Sequence, residues 1–248
     1  MFNDELHTMT LSEDGSYTAY SKEYDEHYHS TKDGALHESL VKHVLPAFSL
    51  KSLQDEIVIL DICYGLGFNT LATLMECKKN AMQSKVKIYS PELDASLVKS
   101  LLNFEYPKEF EGFKEIIQTL STKGVYEDEN TYIEIFLGDA REYIKRFENF
   151  FDVVYQDAFS PSVNKILWTK EYFEDIRKSM KEDGVLTTYS IALATRLALY
   201  ENGFHIYLNE GKNFRTATIA SPKELQSFKE VNMPHKIACN PDARPLRD

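Results

Sequence analysis

The stretch Ile57-Val58-Ile59-Leu60-Asp61-Ile62-Cys63-Tyr64-Gly65-Leu66-Gly67-Phe68-Asn69 decides the fold, because an apolar run leads through two glycines into a helical pattern. The run at 57–61 predicts a buried strand, and the pattern that follows predicts a helix over 68–82. Glycine lets the backbone approach a ligand closely, and the first turn of a helix offers unpaired N–H groups. We therefore predict a nucleotide-type pocket across this turn, with ligand contacts from Tyr64, Gly65, Gly67 and Asn69.

The chemistry of the turn distinguishes between two kinds of ligand. Cys63 stands where a three-glycine dinucleotide fingerprint has its first glycine, so that fingerprint is not met. Asp61 closes the strand, and a carboxylate suits S-adenosylmethionine, which carries a sulfonium and an ammonium but no pyrophosphate. We expect S-adenosylmethionine as the cofactor, and a turn that is purely structural stays open as the alternative at this point.

Strands and helices alternate along most of the chain. Strands are predicted at 8–12, 16–21, 57–61, 86–90, 132–137, 151–156, 185–189, 205–208 and 215–220, and helices at 37–48, 68–82, 94–103, 113–120, 141–147, 170–180 and 192–200. Repeated crossovers of this kind require a mostly parallel sheet with helices on both faces. The short turn region at 209–211 makes the last two strands antiparallel, a layout that Rossmann-like methyltransferases share at the level of the fold.

The same pattern divides the chain into three parts. Residues 1–50 are predicted to form an N-terminal extension, a β-hairpin and a helix that pack on the core. Residues 51–222 form the main domain, with an insertion at about 104–130. Residues 223–248 carry three prolines and are predicted to form an extended tail.

Four successive strands are each closed or followed by a carboxylate, at Asp61, Glu92, Asp139 and Asp157. In a doubly wound sheet the ligand binds outside the carboxyl ends of the strands. Glu92 is placed to accept hydrogen bonds from two ribose hydroxyls, and Asp139, followed by Ala140, suits the adenine amino group. Helix capping explains Asp139 equally well, but it explains four such positions in a row poorly.

Charge and cysteine usage narrow the class of protein. The net charge of −11 argues against a broad nucleic-acid-binding surface but leaves room for a local basic patch. Cys63, Cys77 and Cys239 are widely spaced, so we expect free thiols and no metal site. The chain shows no long uncharged apolar run and no signal-peptide pattern, and we expect a cytoplasmic protein.

Three motifs together carry a more specific signal. They are Tyr24-Asp25-Glu26-His27-Tyr28-His29-Ser30, Tyr64-Gly65-Leu66-Gly67-Phe68-Asn69, and Gln156-Asp157-Ala158-Phe159-Ser160-Pro161 with Leu167-Trp168-Thr169. In these motifs the chain resembles the methyltransferase domain of the tRNA-modification family MnmC, most closely the free-standing form without the FAD oxidase domain. The resemblance runs from about residue 15 to residue 220. It implies an α/β, Rossmann-like class I methyltransferase with a mostly parallel seven-stranded sheet and an antiparallel last strand.

The resemblance also implies a reaction. The family uses S-adenosylmethionine to methylate the exocyclic amine of 5-aminomethyluridine, with or without a 2-thio group, at the wobble position of tRNA. Asp157 is then expected to contact the cofactor, to accept a hydrogen bond from the amine and to take or relay its proton.

Substrate contacts are expected from the N-terminal motif, the loop after Asp157 and a few cations. Trp168 is expected to be a core aromatic instead. The basic run that this family usually carries near the last strand is thin here, so tRNA binding depends on few charges. The predicted substrate contacts are Tyr28, His29, Phe159, Pro161, Lys165, Lys212 and Arg215.

Two other classes of function stay open. One is a methyl- or aminopropyl-transferase for a small amine such as a polyamine, whose positive charge would suit an acidic protein. The other is a non-catalytic module that binds S-adenosylmethionine. Binding assays with tRNA, polyamines and the cofactor discriminate among the three.

Overall fold

The computed structural model describes residues 2 and 5–248, and its N-terminal extension begins with a small antiparallel sheet. The strands are β1 (His7–Leu11), β2 (Tyr17–Ser21) and β3 (Glu26–His27), in that order. A helical segment follows, in which a π-helical turn at Leu40–Val44 joins α1 (Ala35–Ser39) to α2 (Leu45–Lys51). The predicted hairpin and helix are both present, and β3 is an addition to them.

The main sheet contains nine strands within the described part of the chain. They are β4 (Glu56–Ile62), β5 (Lys85–Glu92), β6 (Val125–Glu127), β7 (Thr131–Leu137), β8 (Phe151–Gln156), β9 (Met180–Thr188), β10 (His205–Asn209), β11 (Ala217–Ser221) and β12 (Lys229–Glu230). Their order across the sheet is β12-β10-β11-β9-β8-β4-β5-β7-β6. The central five strands are parallel, whereas β11 runs antiparallel to both β9 and β10. The predicted mostly parallel sheet of seven strands is confirmed, and the short edge strands β6 and β12 extend it.

Helices cover both faces of this sheet. They are α3 (Phe68–Lys79), α4 (Ala95–Ser100), α5 (Lys114–Lys123), α6 (Ala140–Ile144), α7 (Lys170–Ser179), α8 (Leu193–Tyr200) and α9 (Met233–Cys239). The central strand β4 shows why two layers form, because its side chains alternate between two hydrophobic clusters. Ile57 and Ile59 pack into one cluster, and Leu60 and Ile62 pack into the other. Among the described helices, none has both the length and the apolar character that a membrane span requires.

The expectation of an extended tail is wrong for residues 233–239, which form a helix. β12 pairs with β10, and α9 begins after Asn232, whose Oδ1 accepts the backbone N–H of His235 over 2.9 Å. Pro234 suggested an extended chain, but it lies in the first turn of α9, where a missing N–H breaks no helical hydrogen bond. Buried Met233 anchors the helix to the core.

Candidate active site

A cavity of about 1180 Å³ opens at the carboxyl ends of the parallel strands, and the N-terminal extension forms part of its wall. Eleven of the predicted site residues line it: Tyr28, His29, Tyr64, Gly65, Asn69, Glu92, Asp139, Ala140, Asp157, Phe159 and Arg215. Five others lie outside the lining: Asp61, Gly67, Pro161, Lys165 and Lys212. The motifs that are far apart in sequence therefore converge on one place.

The turn after β4 has the left-handed backbone that its glycines suggested. Gly65 and Gly67 have φ values of +53° and +76°, and Cys63, which replaces a glycine, has φ +65°. A side chain in this region costs roughly 1–2 kcal/mol. Gly67 is required for a second reason, because a Cβ there would lie 2.7 Å from the Tyr64 hydroxyl. Gly67 therefore determines the shape of the turn and does not line the cavity. The three cysteines are free thiols, as predicted.

Glu92 ends β5 and is almost fully buried beside this turn. Its Oε2 accepts the Gly65 N–H over 2.8 Å, and its Oε1 accepts the Asp94 N–H over 2.9 Å. Burial raises the pKa of Glu92, and these backbone hydrogen bonds oppose that rise. Each carboxylate oxygen can accept a further hydrogen bond, so Glu92 retains free lone pairs for two hydroxyls.

Asp61 lies in a different place from the one the sequence predicted. Its carboxylate is 1% exposed and accepts hydrogen bonds from Thr70 Oγ1 over 2.9 Å and from Asn69 Nδ2 over 3.3 Å. Burial raises its pKa to about 7. Asp61 thus supports the turn and the start of α3 from beneath, and it does not reach the cavity wall.

Asp139 caps the N-terminus of α6, as one interpretation of the sequence predicted, and it also lines the cavity. Its Oδ1 accepts the Arg141 backbone N–H over 2.9 Å at the start of α6. The Arg141 guanidinium also donates to Oδ2 over 2.7 Å, and this pairing lowers the pKa of Asp139. The carboxylate is therefore ionised and held near the cavity by its own helix.

Asp157 follows β8 directly and is held from two sides. Asn69 Nδ2 donates to Oδ2 over 2.9 Å, and His43 Nε2 lies 3.3 Å from Oδ1. Burial alone would raise the pKa of Asp157, but its interactions with the His43 ring and the hydrogen bond from Asn69 outweigh burial and lower the pKa. The side chain is 12% exposed, so an ionised carboxylate faces the cavity.

An aromatic cluster from the N-terminal extension covers the loop after Asp157. Tyr24 stacks on Phe159 with 4.6 Å between ring centroids, and Tyr28 contacts the same ring at 4.8 Å. Glu26 Oε2 accepts the Ser160 N–H over 2.9 Å. Tyr24 and Glu26 belong to the motif that was singled out in the sequence, but their part in the site was missed.

His29 lies deeper in the same wall. Its ring packs edge-on against Phe68 with 5.0 Å between centroids, and Nδ1 lies 3.4 Å from the Thr18 hydroxyl. Burial lowers the pKa of His29. The ring is therefore a neutral part of the wall.

Buried side chains hold the 157–161 loop at its carbonyl groups. Trp168 Nε1 donates to the Phe159 carbonyl over 2.8 Å, and the Tyr189 hydroxyl donates to the Ala158 carbonyl over 2.9 Å. Trp168 is 0% exposed, so it is a core aromatic as expected. It also fixes the backbone of the residue that carries the Phe159 ring.

Cations lie at the mouth of the cavity and beside it. Arg215 and Lys32 line the cavity, whereas Lys165 and Lys212 are exposed outside it. Within residues 2 and 5–248 these four side chains form no salt bridge, in contrast to Lys42, which pairs with a carboxylate. Lys32 was not predicted from the sequence.

The cavity wall suits S-adenosylmethionine. Asn69 Oδ1 is buried and has no hydrogen-bond partner among the described residues, so it is free to accept from an ammonium. Glu92 has lone pairs left for ribose hydroxyls. Gly65 allows Tyr28 to pack close to the turn, because a Cβ there would lie 3.2 Å from the Tyr28 ring. Hydrogen-bond acceptors and carboxylates thus line the cavity.

Comparison with known proteins agrees with this geometry. Residues 104–223 match a family described as S-adenosyl-L-methionine-dependent methyltransferase. The crystal structure of MnmC2 from Aquifex aeolicus superposes with a TM-score of 0.84 and 33% identity, covering 99% of this chain and 80% of that one.

Two curated relatives are longer than this chain. An uncharacterized protein of Methanocaldococcus jannaschii is 36% identical over 205 residues, which are 82% of this chain and 55% of that protein. The tRNA 5-methylaminomethyl-2-thiouridine biosynthesis bifunctional protein MnmC of Azoarcus is 28% identical over 212 residues, 80% of this chain and 33% of that protein. The chain thus spans about half the length of the first relative and a third of the second.

The strand order and the cavity at the carboxyl ends define a class I methyltransferase with S-adenosylmethionine as its cofactor. Within this class the chain belongs to the family of MnmC2.

Proposed function

We propose that the chain N-methylates the 5-aminomethyl group of uridine or 2-thiouridine at the wobble position of tRNA, which yields the 5-methylaminomethyl nucleoside. The observation that carries this proposal is Asp157, an ionised carboxylate in a cavity with an aromatic wall. Family membership supports it, because the MnmC relatives are named for biosynthesis of 5-methylaminomethyl-2-thiouridine in tRNA.

Asp157 is proposed to orient the attacking amine and to accept its hydrogen bond. When bound, S-adenosylmethionine supplies a methyl group on a sulfonium, and the attacking amine must be neutral and aligned with it. Asp157 accepts a hydrogen bond from the amine, which points the nitrogen lone pair along the required line. The same carboxylate relays to solvent the proton that the nitrogen loses after methylation. A lowered pKa keeps Asp157 ionised, which favours accepting the hydrogen bond from the amine and passing the proton on rather than holding it.

The aromatic cluster is proposed to bind the uracil ring by stacking. Phe159 and Tyr28 contact each other and line the cavity beside Asp157, so their aromatic rings form the part of the wall against which a flat base would pack. Stacking of a base on an aromatic side chain contributes about 1–3 kcal/mol. An aminomethyl group on a base stacked there would reach toward Asp157.

The cations without a salt bridge are proposed to contact the phosphates of the tRNA backbone. Arg215 and Lys32 lie at the mouth of the cavity, and Lys165 and Lys212 lie outside it. Because the chain carries a net charge of −11, binding relies on these few local contacts. We expect a weak complex with a shallow dependence on salt.

Nucleoside mass spectrometry tests the proposed function. The chain is incubated with methyl-labelled S-adenosylmethionine and tRNA that carries 5-aminomethyl-2-thiouridine, and the tRNA is then digested. Label is expected in the 5-methylaminomethyl nucleoside alone. Label in another nucleoside, or none in tRNA that carries the amine, would contradict the proposal.

A small amine is the second candidate substrate, and the acidic wall of the cavity favours it. Glu26, Glu92, Asp94 and Asp157 all line the cavity, and a polyamine would gain from their charges. The same labelling reaction with putrescine or spermidine in place of tRNA tests methyl transfer, and a parallel reaction with decarboxylated S-adenosylmethionine as the donor tests aminopropyl transfer. A methylated or aminopropylated polyamine would support this substrate, and no cofactor binding in calorimetry would argue against both.

A further inference from the structure

His43 lies behind Asp157 and has no part in the reaction as described so far. Its side chain is fully buried, does not line the cavity, and belongs to the π-helical turn of the N-terminal extension. Nε2 is buried, has no hydrogen-bond partner among the described residues and lies 3.3 Å from Asp157 Oδ1, so the carboxylate is the nearest group to which its N–H can turn. Nδ1 lies 3.0 Å from the Thr187 hydroxyl. The ring also packs edge-on against Tyr155 at 5.7 Å between centroids. Three contacts therefore fix the orientation of the imidazole.

The chemistry of these groups determines where the ring hydrogen lies. An ionised carboxylate can only accept, so Nε2 must carry a hydrogen when it faces Asp157. In the neutral ring Nδ1 is then free to accept from the Thr187 hydroxyl, which rotates to donate. The two neighbours thus favour the same tautomer.

We propose that His43 is a positioning residue for methyl transfer, which holds the Asp157 carboxylate in the orientation that meets the reacting amine. This inference rests on the proposed role of Asp157. With Asn69 donating to Oδ2 over 2.9 Å and His43 facing Oδ1, the carboxylate cannot rotate freely. Its remaining lone pairs are left for the amine.

The local backbone agrees with such a role. The π-helical turn at Leu40–Val44 interrupts an otherwise continuous helical segment between α1 and α2. Turns of this kind occur frequently at functional sites. Here His43, within this turn, links the N-terminal extension to the residue that follows β8.

Substitution of His43 tests the inference, because a positioning residue should affect kcat much more than the cofactor Kd or the tRNA KM. His43→Leu should lower kcat by about tenfold or more and change the cofactor Kd and the tRNA KM by less than about threefold. His43→Gln, whose amide can donate to Asp157, should recover most of the lost turnover. An unchanged kcat in folded His43→Leu would overturn the inference.

Two further measurements separate positioning from simple packing. In the Asp157→Asn background His43→Leu should lower kcat no further, because the two residues act as one unit. Thr187→Val removes the hydroxyl at Nδ1 with little change in shape and should lower kcat. Thr73→Val is the matched control, since the buried Thr73 hydroxyl contacts Tyr155 instead. Additive losses, or equal losses in the two valine variants, would overturn the inference.

Nitrogen-15 chemical shifts of the His43 ring test the contact without any substrate. A proton on Nε2 and a shift that changes in Asp157→Asn are expected. If the wild-type chain methylates no amine in tRNA, the proposed function fails and the ring shifts still decide the contact. An unprotonated Nε2 overturns the role of His43 even in an active enzyme.

Discussion

The backbone N–H of Gly65 donates a hydrogen bond of 2.8 Å to Oε2 of Glu92, which ties the turn after β4 to the end of β5. One carboxylate therefore shapes the glycine turn and presents its remaining lone pairs to the cavity. A change at Glu92 should consequently affect the ligand and the turn together.

Glu92→Ala should weaken S-adenosylmethionine binding by about 2 kcal/mol, the scale of hydrogen bonds to a charged group. Calorimetric titration of the variant with the cofactor measures the loss. Glu134→Ala is the control, because Glu134 bonds to Tyr132 and Tyr143 and does not line the cavity. Equal cofactor affinity in folded Glu92→Ala and in the wild type would refute this placement.

Gly67→Ala should destabilise the fold by more than Gly203→Ala does. Both glycines have positive φ, +76° and +82°, so both alanines strain the backbone by about 1 kcal/mol. A Cβ at Gly67 would also lie 2.7 Å from the Tyr64 hydroxyl, whereas a Cβ at Gly203 meets nothing within 4 Å. Urea unfolding of the two variants gives the comparison, and equal losses would show that the Tyr64 contact is unimportant.

The titration of Asp61 should make stability depend on pH. Its pKa is raised from 3.8 to about 7, so between these values the folded chain holds a proton that the unfolded chain releases. The free energy of unfolding should fall as pH rises through this window, by at most about 1.4 kcal/mol per pH unit. Asp61→Asn cannot titrate, so its stability relative to the wild type should rise until about pH 7. Parallel pH profiles of the two proteins would contradict the raised pKa.

Lys212→Ala with Arg215→Ala should raise the apparent KM for tRNA and leave cofactor affinity unchanged, because we propose that these residues contact the tRNA backbone and not the cofactor. With about three phosphate contacts, the slope of log affinity against log salt should be only about −2 to −3. Lys108→Ala with Lys123→Ala, on the exposed insertion, is the matched control. Equal methylation at limiting tRNA by both double variants would place the tRNA-binding surface elsewhere.

The sequence was sufficient to predict those residues whose location follows from the order of strands along the chain. The carboxyl ends of parallel strands share one edge of the sheet, so Glu92, Asp139 and Asp157 were placed together correctly. Asp61 follows the same rule of chain order but does not reach the cavity, because side chains alternate between the two faces of β4. It shares the face of Ile57 and Ile59 and therefore points into the layer that contains α3.

The remaining residues at the cavity and beside Asp157 are placed there by tertiary contacts. His43 sits in a helical stretch with no motif of its own, and it reaches Asp157 only because the N-terminal extension packs on the core. Lys32 and Glu26 join the cavity for the same reason. Such contacts between distant segments leave no periodic signal in a single sequence.

Single-turnover methylation by Asp157→Asn tests the central claim most directly. The variant keeps the shape of the side chain but loses its charge and its ability to take a proton. With cofactor and tRNA both saturating, methyl transfer should be slower by at least about 10²-fold while calorimetry shows cofactor affinity near that of the wild type. Transfer at the wild-type rate would remove Asp157 from the reaction and with it the proposed mechanism.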